Sequence, residues 1–302
     1  MKTQDERWEF VNCGLCASAA FKELCVYNDI RIVQCRQCNL IYRNPRFRED
    51  VNREFYRTDY YNGYRGIEER IFNARVPLFR KVLLQLEKRI TSASRRILDI
   101  GCGQGHFLKM AADSGWQVEG VELAKSACEY AQERLGLELI NRTVFEANFE
   151  KNHFDAVTLW NVLDHLLNPL DTLKEIVRIL KPQGILVIRV VNVDFHLLIH
   201  RLFSIFHFDK KFNKFHDPSV IVNFGFNVKT IRRILEKADF RDIKVYNSPL
   251  SSGDPYKSFE RYGTQMVGLL KNLFYLLSGL ISYLSLRRLN INPSMLVYAR
   301  KT

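Results

Sequence analysis

The run Ile97-Leu98-Asp99-Ile100-Gly101-Cys102-Gly103-Gln104-Gly105, followed by a helix-like stretch and then Val118-Glu119-Gly120-Val121-Glu122, limits this chain more than any other feature. An apolar strand runs into a glycine turn, and a carboxylate ends the next strand. That is the layout of an adenosine-binding α/β site. Glycine at the turn tolerates positive φ and leaves room for a ligand against the backbone. Glu122 then sits where a carboxylate can accept hydrogen bonds from a ribose diol. The dinucleotide fingerprint wants a glycine where this chain has His106, so a ligand with adenosine but no phosphates fits better.

The following segments alternate strand and helix. His153 to Trp160 predicts a buried strand, Asn161-Val162-Leu163-Asp164-His165 turns out of it, and Leu170 to Leu180 carries helical apolar spacing. Lys181-Pro182-Gln183-Gly184 is expected to end that helix, and Ile185 to Val191 predicts a further continuous apolar strand. In order and in residue detail, roughly residues 95 to 302 resemble the class I S-adenosylmethionine (SAM)-dependent methyltransferases. These usually read close to L-D-I-G-C-G-x-G, F-D-x-V, V-L-E-H and L-K-P-G-G. Gln183 replaces the first glycine of the last motif, and Asp164 replaces the glutamate of the third.

The resemblance implies a Rossmann-like sheet of seven strands with the last antiparallel. It places Asp99, Gly101, Cys102, Gly103 and Gly105 around the methionine moiety of SAM, Glu122 on the ribose and Leu123 beside the adenine. Residues 141–144, with Thr143 and Val144, are expected along the adenine edge, and Asn161 near the sulfonium.

Cys13-x-x-Cys16 and Cys35-x-x-Cys38, separated by residues 17–34, are two close pairs that can supply four thiolates to one tetrahedral ion. This is zinc-ribbon spacing, and a closed four-sulfur site makes the zinc structural. A disulfide framework is the competing reading. The absence of a signal-peptide pattern argues against it, and Cys25, Cys102 and Cys128 are left over as in a reducing compartment. The expected location is the cytoplasm.

After the ribbon come Leu40-Ile41-Tyr42-Arg43-Asn44-Pro45-Arg46 and an aromatic run from Phe55 to Tyr64. A ribbon, a segment like L-x-Y-x-N-P-R and a tyrosine-rich stretch together resemble methyltransferases of bacterial and archaeal surface-polysaccharide, sugar and lipid pathways. The aromatic run suits a lid over a substrate, or equally a packed connector. Residues 66–90 read as one long amphipathic helix containing Pro77. The expected organisation is a ribbon over 1–45, a connector or lid over 46–92, and a methyltransferase domain over 93–302 with insertions at 195–226 and 249–293.

Forty-five basic against thirty-three acidic residues give a net charge of +12, which points to an anionic partner such as a nucleotide-sugar, a phospholipid, an anionic membrane or RNA, or, as a modest excess, to solubility alone. The stretch 266–286 is apolar and long enough to span a bilayer. A spanning helix would strand Met295–Arg300, the strand this fold inserts beside its fifth, on the wrong side. Two readings remain for the stretch: a cap on the core, or peripheral membrane contact with Arg287 and Arg288 at the headgroups.

The implied chemistry is methyl transfer to a small or lipid-linked metabolite, at a sugar or lipid hydroxyl. A hydroxyl acceptor needs a base, and His165 is the candidate, the competing reading being a histidine that caps or buttresses its loop. His216 and Asp217 are secondary ones. In ubiquinone-pathway O-methyltransferases a similar E-x-x-E-H motif holds magnesium, but Asn161 stands here in place of its first carboxylate. The alternatives are an RNA methyltransferase and a catalytically inactive SAM-binding partner subunit.

Overall fold

The computed structural model describes residues 6–27, 30–58, 68–92, 94–198, 221–248, 280–281, 284 and 292–302, with backbone alone at 27 and 68–71. The tyrosines at 60, 61 and 64, His216, Asp217 and most of both expected insertions lie outside these residues. Of the stretch 266–286 only Leu280, Ile281 and Leu284 are described, helical and exposed. No helix among the described residues is long and apolar enough to cross a membrane.

The central sheet is formed by β6 (Arg96–Ile100), β7 (Gln117–Val121), β8 (Phe154–Trp160), β9 (Leu180–Val191), β11 (Phe240–Asn247) and β12 (Ser294–Lys301), in the order β11-β12-β9-β8-β6-β7. The pairs β6/β7, β6/β8 and β8/β9 are parallel, and β12 enters antiparallel between β9 and β11. Every residue of β8 is buried, as a parallel strand covered on both faces requires. Helices α2 (Glu68–Glu87) and α3 (His106–Asp113) cover one face through Leu78, Phe79, Val82, Leu83, Leu86 and Phe107. Helices α5 (Pro169–Ile179) and α6 (Val228–Lys237) cover the other through Leu173, Ile176, Ile231 and Leu235.

Two expectations are corrected. The sheet has six strands among the described residues, not seven. Where a further edge strand would follow α4 (Lys125–Tyr130), the chain makes one parallel bridge, Ile140 to Val121. The Arg142 N–H then turns back onto the Ile140 carbonyl at 2.8 Å. The Asn141 side chain takes the Glu122 and Leu123 carbonyls at 2.9 and 2.8 Å, replacing a ladder by side-chain bonds. The second correction concerns Lys181–Gly184, which belong to β9. The helix ends earlier, at Ile179, and Gln183 takes φ 64°, the left-handed conformation its usual glycine would adopt without strain.

The N-terminal unit consists of β1 (Trp8–Glu9) paired with β5 (Arg46–Phe47), and of β2 (Phe21–Tyr27), β3 (Ile30–Cys35) and β4 (Ile41–Arg43). Its sheet is completed by β10 (Phe224–Gly225), which lies almost two hundred residues further along and pairs antiparallel with β4. Val33, Cys35, Leu40 and Tyr42 join the same buried cluster as the α/β core. A segment too small to bury a core of its own thus shares one. Helix α6 ties the arrangement by donating from Arg233 to the Cys38 carbonyl at 3.2 Å and from Lys237 to the Leu15 carbonyl at 2.6 Å. Helix α1 (Glu49–Thr58) follows β5 and buries none of its residues fully.

Candidate active site

Chain order reverses between β6 and β8, so their carboxyl ends diverge and leave a crevice there, where open α/β sheets bind ligands. A cavity of about 1000 Å³ occupies it, lined among others by Gly101, Gly103, Glu122, Leu123, Tyr56, Phe72, Trp160, Asn161, His165 and Arg189. Small-ligand cavities run from about 300 to 1000 Å³, so this one stands at the upper end of that range.

The glycine loop is stitched onto the end of β7. Gly101 and Cys102 donate to the Val121 carbonyl at 2.9 and 3.2 Å. Gly101 has φ 65°, and a Cβ there would lie 2.7 Å from a Val162 methyl, so both conformation and space demand glycine. Gly120 is the second obligatory position, since its Cβ would lie 2.5 Å from Leu108 Cδ1 and 2.7 Å from the Cys102 sulfur.

Glu122 is 9% exposed and holds the loop from the other side. Its Oε2 accepts the Gly103 N–H at 2.9 Å and its Oε1 the Ala124 N–H at 3.0 Å. Each carboxylate oxygen retains further acceptor capacity toward a vicinal diol. Burial raises its pKa, and the N–H groups of Ala124 and Gly103 oppose that shift. Asp99 is 1% exposed and accepts from the Thr158 hydroxyl at 2.6 Å. Burial pushes its carboxyl well above the usual range.

Thr143, Val144 and Phe145 also line the cavity. The Thr143 N–H and hydroxyl both donate to Glu146 at 3.0 Å, and Arg53 of α1 pairs with the same carboxylate at 2.6 Å. The Thr143 N–H and the Arg53 guanidinium hold the Glu146 pKa down to about 2. Helix α1 therefore reaches over the expected adenine rim. It also reaches the cavity through Tyr56, whose hydroxyl lies 2.9 Å from His165 Nδ1.

His165 Nε2 lies 4.0 Å from Asp164 Oδ2. Asp164 is 1% exposed, and neither of its carboxylate oxygens has a hydrogen-bond partner. Burial raises its pKa, and the neighbouring His165 and Arg189 charges pull it down. Its main-chain carbonyl accepts from Asn223 and Phe224 at 3.1 and 3.0 Å, so the strand that completes the ribbon sheet hangs from this loop. Asn161, at φ 57°, accepts from Arg189 Nη1 at 2.7 Å, and Arg189 Nε donates to the Ser248 hydroxyl at 3.1 Å.

Thus Asp99, Gly101, Cys102, Gly103, Glu122, Leu123, Thr143, Val144, Asn161 and His165 all line one cavity. Gly105 lies at the N-terminus of α3 with φ 79°, outside the lining. Sequence reasoning did not place Tyr56, Arg43 and Arg189 on this cavity, which all three line. Tyr56 stood inside the aromatic run, but nothing local marked it off from its neighbours.

The four predicted metal ligands converge. The sulfurs of Cys13, Cys16, Cys35 and Cys38 lie within 4.8 Å of one another, with Cys13–Cys38 at 3.4 Å and Cys16–Cys35 at 3.5 Å. Tetrahedral zinc with bonds of about 2.3 Å needs sulfurs about 3.8 Å apart, so the set fits a zinc ion. Burial pushes the Cys13 thiol up to about 11. At Cys35 burial is outweighed by the N–H groups of Cys38 and Gln37, which bring the thiol down to about 7. Cys25 lies in β2, outside the set. Among the described residues no other group of three or more His, Cys, Asp or Glu side chains has such geometry.

A family model described as a methyltransferase domain matches residues 70–245. Among curated proteins, the ubiquinone biosynthesis O-methyltransferase of Nitrosospira multiformis is 29% identical over 114 residues, covering 35% of this chain and 47% of that protein. That of Vibrio cholerae is 34% identical over 106 residues, covering 33% and 43%. The chain spans about half the length of the curated relatives it matches. The crystal structure of magnesium protoporphyrin IX methyltransferase from Synechocystis PCC 6803, with bound SAM, superposes with a TM-score of 0.50 at 12% identity, over 84% of this chain and 96% of that one. At that identity the likeness concerns the fold.

Proposed function

From the premise that this chain belongs to the methyltransferase-domain family, we propose that it moves a methyl group from SAM to a hydroxyl of a small or lipid-linked acceptor that carries negative charge. One observation supports the reading: the Glu122 carboxylate and the hydrogen-bonded Tyr56–His165 pair line the same cavity. The sugar or lipid character of the acceptor is supported by the ribbon, N-P-R and aromatic combination, and its charge by the net +12.

In this reading Glu122 holds the ribose, the loop from Gly101 to Gly105 lies along the methionine moiety with Asp99, and Leu123, Thr143 and Val144 flank the adenine. SAM, when bound, supplies an already activated methyl group, so alignment and water exclusion are the main demands on the protein. Phe72, Phe79 and Trp160 provide the apolar wall, and α1 closes over it.

An acceptor hydroxyl beside Tyr56 gives its proton to the phenol oxygen as the Tyr56 proton passes to His165 Nδ1. Asp164 Oδ2 lies 4.0 Å from Nε2, the other nitrogen of that ring. Arg189 orients Asn161 at the point between cofactor and acceptor. The Cys13, Cys16, Cys35 and Cys38 set would hold zinc in a closed structural site.

Titration calorimetry with S-adenosylhomocysteine, the demethylated product, tests the cofactor half. Binding of one molecule per chain is expected. Its absence from the folded, metal-loaded protein would contradict the reading.

A further inference from the structure

Arg43 ends β4, the ribbon strand beside the cavity, and its side chain lines the cavity wall. The guanidinium carbon lies 4.4 Å from the centre of the Trp8 ring and 5.1 Å from that of Phe47. Those two rings are themselves stacked at 4.1 Å. The planar cation is therefore held on a prebuilt aromatic platform, a geometry that a lysine would not reproduce.

What Arg43 lacks is an anion. Its Nε is buried with no hydrogen-bond partner, and among the described residues no carboxylate reaches the guanidinium. Arg46 and Arg53 each have a carboxylate partner, Glu9 at 2.9 Å and Glu146 at 2.6 Å, and Arg189 has neutral acceptors, Asn161 and Ser248. Burial lowers the Arg43 pKa, as it does for a cation removed from water without compensation. A half-buried guanidinium on the wall of a ligand-sized cavity is satisfied most directly by a negative group on a bound acceptor.

The position matters as well. The Arg43 N–H donates to the Asn223 carbonyl at 3.0 Å, and the Asn223 amide donates to the carbonyl of His165. The unpaired cation is thus one hydrogen-bonded residue away from the proposed base.

We propose that Arg43 anchors an oxyanion of the methyl acceptor, a phosphate or a carboxylate, so that the zinc ribbon contributes directly to substrate recognition. The proposal rests on the methyl-transfer reading for the identity of that molecule. Trp8 and Phe47 hold the fork flat, and the anion accepts two N–H groups from it side by side. The acceptor's hydroxyl then lies toward Tyr56 and His165.

The test uses the full, metal-loaded chain saturated with S-adenosylhomocysteine and titrated with phenyl phosphate, benzoate and, as the uncharged control, phenol. The expected result is that one of the two anions binds at least about tenfold more tightly than phenol, and that Arg43→Met removes this preference. Which anion is preferred identifies the source of the oxyanion. Unchanged S-adenosylhomocysteine affinity certifies that a variant is folded, and Arg43→Gln takes the place of Arg43→Met if the latter loses it. A neutral variant that binds the anion as tightly as the wild type, or a wild type that prefers neither anion over phenol, would overturn the proposal. A wild type that fails to bind S-adenosylhomocysteine would instead remove the methyl-transfer reading beneath it.

Discussion

The Tyr56 hydroxyl lies 2.9 Å from Nδ1 of His165, a bond across 109 residues that joins the helix after the ribbon to the loop leaving β8. Through it α1 lines the cavity beside the proposed base. Tyr56→Phe is therefore expected to lower kcat about tenfold or more while leaving S-adenosylhomocysteine affinity within twofold, and His165→Gln to lower it by about a hundredfold. Transfer assays paired with calorimetry check this. A Tyr56→Phe variant with full kcat would remove the proton role of the pair.

Glu122 accepts one backbone N–H on each oxygen. In Glu122→Gln one of those N–H groups, Gly103 or Ala124, faces an amide NH2, and one acceptor for the ribose is lost. The expected consequence is a fall of about tenfold to a hundredfold in S-adenosylhomocysteine affinity. Calorimetry on the variant measures it directly, and an unchanged affinity would place the ribose elsewhere.

Asp164 supplies a pH dependence of stability. Burial raises its carboxyl above the usual range, with the His165 and Arg189 charges opposing, so the folded state binds this proton more tightly than the unfolded chain. The native state has that advantage at pH below about 4, the ordinary carboxylate value, and loses it as pH rises through the raised folded value. Asp164→Asn cannot ionise, so its Tm relative to wild type should climb by about 2 °C or more between pH 4 and pH 8. A difference that stays flat over this interval in thermal scans would contradict the burial argument.

The four-sulfur cluster shares its buried surroundings with the α/β core through Tyr42, Phe224 and Leu235. Cys38→Ser should reduce zinc from about one ion per chain to a small fraction and lower Tm by at least about 5 °C, because β4 and β10 lose their common support. Elemental analysis with thermal unfolding checks both, and a variant with full zinc content would exclude Cys38 as a ligand.

The parts of this site legible in the sequence are those whose residues are neighbours in the chain. Gly101, Gly103 and Glu122 follow from one strand-turn-helix-strand unit, and the cysteines from two short knuckles. What escaped depends on distant pairings. Tyr56 needed His165 to stand out from the other tyrosines, and Arg43 is an unremarkable strand residue until Trp8 and Phe47 stack beside it. Phe224 and Gly225 complete a sheet whose other strands end at residue 43. The reduced edge beside β7 escaped too, because the strand-like Leu137–Ile140 is cut short by an Asn141 side chain that captures backbone carbonyls.

The most direct test of the account is a crystal structure of the chain with S-adenosylhomocysteine. The ribose hydroxyls should lie within hydrogen-bond distance of both Glu122 carboxylate oxygens, with the thioether sulfur beside Asn161 and directed at the Tyr56–His165 pair. A nucleoside bound away from Glu122, or a sulfur directed away from that pair, would contradict it.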